Sequence, residues 1–178
     1  MHLAMDVHYE STASSGAVIG FEDWSDSSPE VEAVIHVEDA PAAYRPGYFF
    51  QRELPLLLKL WSAAQDLQDV DAIVIDGYTW LDDQERPGLG AHLYRALDGS
   101  VPVVGVAKTL FQGSNAVRVM RGASTKPLYV STAGIDACEA ADLISTMHGR
   151  NRTPTLLKHV DRLARGIVEP DAEKQLTR

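Results

Sequence analysis

The sequence predicts an α/β fold, a mixed sheet flanked by helices, from three observations. Three β candidates come first, separated by the turn-rich segments STASSG and SDSSPE, and so read as antiparallel neighbours joined by hairpins. Two later runs, DAIVIDG at 71–77 and VPVVGVAKT at 101–109, are continuously apolar, as in strands buried on both faces. Around these runs, apolar residues recur at helical spacing, so helices would cover the sheet.

The elements follow in order. The β candidates cover 3–10, 15–24 and 30–38, with IHVEDA closing the third. From Pro46 to about Gln65, residues Phe49, Phe50, Leu54, Leu57, Leu58 and Trp61 share one helical face. Pro46 suits a helix start, whereas Pro55 is expected to kink the helix or mark a junction. A second helix is expected over 88–97, and AVRVMRG with KPLYVST reads as a last hairpin. Asp136 and Glu139 form a capping-box pattern that opens a helix to about Met147. TPTLLKHVDRLARG supports a final helix with Gly166 as its stop. Residues 1–168 are expected to form one domain, followed by a polar, flexible tail over 169–178. This order of elements is that of the ribonuclease H-like fold, in which the first and fourth strands are central neighbours. Asp6 and Asp76 would then lie together.

Composition narrows the function classes. The chain has 178 residues, 45% of them hydrophobic, enough for a real core. Its net charge of −9 argues against broad, sequence-blind adhesion to polyanions. A nucleic-acid enzyme can nevertheless be acidic when metal ions supply local positive charge. No apolar run approaches the roughly 18 residues of a membrane span, and MHLAMDVHY lacks the layout of a secretory signal. The lone Cys138 excludes an internal disulfide, and a cytoplasmic location is the simplest expectation.

Carboxylates in apolar surroundings are the chemical signal. Asp6 sits in LAMDVHY, Asp76 ends AIVID, and Glu53 lies in the amphipathic stretch after Pro46. Such groups are costly to bury unless paired, hydrogen-bonded or bound to a metal. Singly, each is better read as a strand end or a turn cap. Together they offer the oxygen ligands that a hard divalent cation takes.

Five motifs in one order carry a resemblance. The chain resembles endonuclease V, the metal-dependent nuclease of deaminated purines in nucleic acids. DVHY is similar to the family's DxSY strand, and YRPGYFFQRE to its YIPGFLxFRE. VIDG followed by GLGAHL, then VPVVGVAKTLFQG and KPLYVS, match further family segments, from about residue 4 to about residue 165. The resemblance implies that Asp6, Glu53 and Asp76 bind Mg²⁺, with Mn²⁺ as a substitute, and that Lys108 is the active-site lysine. Read alone, Lys108 is a solvated strand end. Tyr44, Arg45 and Pro46 fall on the family's wedge, which fills the space of a base that leaves the stack. Gly47 and Gly77 would let backbone approach that base, since neither has a Cβ. The implied partner is nucleic acid, DNA or RNA, single strands included, with no membrane and with room for a protein partner or homo-oligomer.

Departures cluster near the implied site. The family's DGHG is DGYT here, with Tyr78 in place of His. A basic, His-bearing segment becomes Asp82-Asp83-Gln84-Glu85-Arg86, and STAGID carries no His where the family has an active-site one. The family's helix before the first strand is not expected within this sequence, whose first strand candidate already starts at residue 3. Asp136 is a substitute acidic ligand or simply a helix cap. Two functions follow: an active endonuclease cutting near inosine-type nucleotides, or a weak or inactive relative serving as a binding or assembly module.

Overall fold

Strand pairing builds the scaffold from the N-terminus. The computed structural model describes residues 1–10, 13–37, 50–64 and 69–167. β1 (His2–Tyr9), β2 (Ser14–Phe21) and β3 (Val31–Val37) form an antiparallel meander. α1 (Phe50–Ala63) leads to β4 (Ala72–Asp76), which pairs parallel to β1. α2 (Leu89–Ala96) returns the chain to β5 (Val103–Ala107), parallel to β4. β6 (Val117–Val119) and β7 (Leu128–Ala133) are antiparallel, and α3 (Ala137–Thr146) and α4 (Thr155–Ala164) close the described chain. The described residues thus form a seven-stranded sheet in the order β3-β2-β1-β4-β5-β7-β6. This is the expected ribonuclease H-like mixed sheet flanked by helices. Among the described residues, no helix is long and apolar enough to cross a membrane.

Alternation along the strands divides the core into two layers. Leu3, Met5, Ile73, Ile75 and Val103 face Leu57 and Leu60 of α1 and Leu89 and Leu93 of α2. Ala4, Ile19, Val74, Val104 and Val106 face α3 and α4, through Ile144, Leu156 and Val160. The unbroken apolar runs of β4 and β5 follow from covering both faces. Asp6 and Asp76 therefore belong, by parity, to the α3–α4 side.

Some boundaries differ from the sequence expectation. β2 stops at Phe21 rather than Trp24, because Asp26 Oδ2 accepts the amides of Glu22 (3.2 Å) and Asp23 (2.8 Å) and bends the chain away. Trp24 still packs inward, edge-on to Phe21 at 5.7 Å between ring centroids. Pro55 lies inside α1, which runs through it as one element, so no junction forms there. The apolar face of α1, with Leu56, Leu57 and Leu60 buried, offsets the hydrogen bond that Pro55 removes. Pro46, Gln65 and the expected tail at 169–178 lie outside the described residues.

Gly105 fixes how closely the segment after β4 crosses β5. A Cβ there would stand 2.6 Å from the Gly77 carbonyl oxygen and 2.9 Å from the Thr79 amide nitrogen. Both are backbone atoms and cannot swing away. Gly105→Ala is expected to cost about 1–3 kcal/mol, as overpacked core substitutions do. Urea unfolding of the two proteins measures the difference, and an unchanged midpoint would contradict this packing.

Candidate active site

Two parallel strands carry their carboxylates to one edge. The β1–β4 register ends at Met5↔Ile75, so Asp6 and Asp76 are the next residues on adjacent strands. β5 continues the pattern, with Asp76 opposite Val106 and Lys108 just beyond the strand end. A cavity of about 30 Å³ opens there, lined by Asp6, Asp76 and Lys108 and by Val106, Thr153 and Leu157. Lys108 Nζ donates to Asp76 Oδ2 at 2.7 Å, and both side chains are exposed. Burial pulls the Lys108 ammonium down, but the hydrogen bond and charge of Asp76 outweigh it and hold the pKa above its ordinary value.

Glu53 reaches the same edge from α1. The Tyr9 hydroxyl at the end of β1 donates to the Arg52 carbonyl at 2.7 Å, and the Arg52 guanidinium lies 4.0 Å over the Tyr9 ring. That double tie sets the first turn of α1 against β1. The Glu53 side chain is buried, 8% exposed, and has no hydrogen-bond or ion-pair partner among the described residues. Desolvation, followed by the charges of Asp6 and Asp76, pushes its pKa up to about 8. Half-buried Asp6 is also raised, chiefly by desolvation and further by Asp76, although the Val7 amide donates to its Oδ1 at 2.8 Å.

This donor set fits a hard divalent cation in its chemistry: three carboxylates, mutually repelling and incompletely neutralised. Among the described residues, no three His, Cys, Asp or Glu side chains lie close enough together to hold a metal ion as they stand. Asp76 turns to Lys108, Asp6 turns to the Val7 amide, and Glu53 approaches from the α1 side of the sheet.

A further acid escapes sequence reasoning. Asp161 of α4 acts electrostatically on both Asp6 and Lys108 and pairs with Arg165 at 2.9 Å. Its signal is positional: it follows buried Val160 on the flank of the apolar stripe of α4. Asp136, a candidate substitute ligand by sequence, caps α3 by accepting the amides of Cys138 (2.9 Å) and Glu139 (3.0 Å).

The backbone next to the carboxylates is held from several sides. Gly77 has a φ of +129°, a conformation side chains disfavour, and turns the chain directly after Asp76. The Thr79 amide donates to Ser131 Oγ at 2.9 Å. Tyr78, which stands where the resembled family has His, makes a different clamp. Its hydroxyl donates to the Thr109 carbonyl at 2.8 Å and accepts the Phe111 amide at 3.0 Å, fastening the segment that follows Lys108. In the acidic loop, Asp82 pairs with Arg86 at 3.1 Å and accepts the amides of Gln84 and Arg86, so part of its charge is neutralised locally. Tyr44, Arg45, Pro46 and Gly47 lie outside the described residues.

The chain is similar to known proteins in sequence and in fold. The family model described as Endonuclease V matches residues 3–122. An endonuclease V of Rhodospirillum centenum is 31% identical over an aligned stretch of 137 residues, with coverage of 65% of this chain and 55% of that protein. The chain thus spans about half the length of the curated relative it matches. The crystal structure of human ENDOV superposes with a TM-score of 0.72 at 22% identity, covering 93% of this chain and 82% of that one. A Ciona intestinalis endonuclease V, in complex with a 23mer DNA containing an inosine followed by a ribo-adenosine, gives a TM-score of 0.74 at 14% identity. That match covers 93% of this chain and 83% of the other. At these identities the two structures establish the fold.

The site predicts how stability responds to pH. Because the folded pKa of Glu53 lies above its ordinary 4.5, its contribution is fully present below 4.5 and is lost as pH rises through about 8. With chelator present, thermal unfolding should occur at falling temperature across that interval, and Glu53→Gln should flatten the fall. Identical pH profiles for the two proteins would count against a desolvated Glu53.

Tyr78→Phe tests the clamp. Losing both hydrogen bonds should speed amide exchange at Phe111 by about fivefold, the equivalent of about 1 kcal/mol for a net hydrogen bond. Hydrogen exchange followed by NMR reads this directly, with amides of β4 as an unchanged reference.

Proposed function

Since this chain belongs to the endonuclease V family, we propose that it is a metal-dependent endonuclease that hydrolyses a phosphodiester bond near inosine-type nucleotides in DNA or RNA. The observation that supports this most is the placement of Asp6, within β1, beside Asp76, the last residue of the adjacent β4, with Lys108 paired to Asp76 and buried Glu53 coupled to both carboxylates. Incompletely neutralised carboxylates in a cleft are what a catalytic site maintains against their cost to stability.

In this reading Asp6, Glu53 and Asp76 hold Mg²⁺ or Mn²⁺, and Asp161 adds negative charge from α4. The bound ion would supply Lewis acidity and a more acidic water. Water oxygen attacks phosphorus and gives up a proton to solvent, the bond from phosphorus to the 3′ oxygen breaks, and that oxygen takes up a proton in turn. Lys108 places a point charge on a non-bridging phosphate oxygen. Its present partner, Asp76, keeps the ammonium charged and at the correct edge until a phosphate arrives. Gly77 and Gly47 bring backbone without a Cβ to the extruded base, and Tyr44, Arg45 and Pro46 act as the wedge that fills the space it leaves. Hypoxanthine differs from adenine at O6 and N1–H, groups that backbone donors and acceptors can read.

A second reading keeps the fold and gives up the chemistry. The acidic residues Asp83 and Glu85 are exposed where the resembled family carries basic ones, and Tyr78 replaces its His. A binding or assembly module would tolerate those changes. One experiment separates the two: labelled inosine-containing single and double strands are incubated with Mg²⁺ or Mn²⁺. Wild-type protein should cut them, and Asp76→Asn should cut at least about 100-fold more slowly, since it loses several kcal/mol of transition-state stabilisation. The variant should remain folded, because like-charge repulsion is relieved. Undiminished cutting by Asp76→Asn would refute the assignment, and no cutting by wild type would favour the module.

A further inference from the structure

We propose that a preformed basic groove leads out of the carboxylate cavity and carries the continuation of the substrate strand, gripping its phosphodiester backbone beyond the cleavage point. The proposal rests on the endonuclease reading and deepens it. Thr153 lines the carboxylate cavity and also a second concavity formed with Asn151, Thr155, Lys158, His159 and Arg162. Asn151 and Thr155 in turn line a third, with His148, Gly149 and Arg150. The three concavities therefore share residues and form one track.

Its charge is the reverse of the chain's. The net charge is −9, yet among the described residues no acid lines the second or third concavity. Lys158 and Arg150 are exposed and have no ion-pair partner among the described residues. Two acids beside the α4 face are paired: Asp161 with Arg165 at 2.9 Å and Glu32 with His159, which lines the second concavity, at 2.8 Å. Asn151, Thr153 and Thr155 add amide and hydroxyl donors of the kind that bind phosphate oxygens. Two cationic concavities in succession suit consecutive phosphates better than a single small anion. Among the described residues, neither is lined by Phe, Tyr or Trp, so the track would position a strand without reading its bases.

The track wall is fixed to the catalytic edge. Arg121, 5% exposed, donates to the carbonyls of Asn151 (3.2 Å), Arg152 (3.3 Å), Gly149 (3.3 Å), Ser145 (3.5 Å) and Met147. The Arg152 guanidinium joins the carbonyls of Pro127 and Lys108. Loop 148–153 is thus held in place relative to Lys108 before any ligand arrives, which lowers the ordering cost of binding.

The test measures binding of the full chain to a fluorescein-labelled single strand of about 20 nucleotides, as DNA and as RNA, in chelator so that nothing is cut. In Lys158→Ala/Arg150→Ala, the slope of log affinity against log salt should flatten by about 1.4, at about 0.7 for each phosphate of a single strand that is no longer neutralised. Lys59→Ala, an exposed cation on the opposite face, serves as control and should leave the slope unchanged. Flattening in either strand type supports the track and names which backbone it takes. An unchanged slope in the double variant, or equal flattening in the control, overturns it. Wild-type cleavage is scored separately. Cutting with an unchanged slope retains the endonuclease and removes the track, whereas binding with a flattened slope but no cutting retains the track and removes the endonuclease.

Discussion

Parallel pairing of β1 with β4 is the constraint on which the rest of the molecule depends. A parallel neighbour needs a long crossover, and here the crossover contains α1, the element that supplies Glu53. The register brings Asp6 beside Asp76, and a shift of one residue would turn one of the two carboxylates to the α1–α2 side. Leu3 and Met5 on β1 and Ile73 and Ile75 on β4 resist that shift, because the same slip would face the pair on the displaced strand away from α1 and α2. The hydrophobic layer that stabilises the sheet therefore also specifies the site.

The order and type of the elements were legible in the sequence because apolar periodicity is a local signal and both faces of the sheet are covered. DAIVIDG and VPVVGVAKT became β4 and β5, and Asp136 became the cap of α3. Trp24 misled the end of β2 because its burial comes from a turn closed by Asp26, not from strand alternation. Asp6 and Asp76 were legible as acids within apolar runs. Asp161 was not, since a carboxylate on an amphipathic helix looks like any solvated face until the sheet beneath is known. Arg121 escaped for a related reason: AVRVMRG alternates like an edge strand, and nothing local shows that this Arg is enclosed by carbonyls from a loop about 30 residues away in the chain.

The two sides of the sheet divide labour. On one, α1 and α2 pack with little polar content apart from Glu53 at the edge. On the other, α3 and α4 leave a gap at the ends of β4 and β5, where Asp6, Asp76 and Lys108 line a cavity with Thr153 of the loop before α4. Charge follows the same division: acids gather at the strand ends, and Arg150 and Lys158 lie one step beyond them. Tyr78 and Arg152 link these regions by holding the residues around Lys108 from opposite directions, one through Thr109 and Phe111 and the other through the Lys108 carbonyl itself.

The enclosed guanidinium of Arg121 separates shape from charge in this region. An arginine keeps its proton at every pH where a protein of this kind is folded, even though burial lowers its pKa. Its bonds to five carbonyls are therefore indifferent to acidity. Glu53 and Asp6, by contrast, change charge near neutrality. A drop in pH would thus switch off the attraction for cations at the strand ends while the channel beside them kept its contour, so that acid acts on the molecule as a dimmer and not as a hinge.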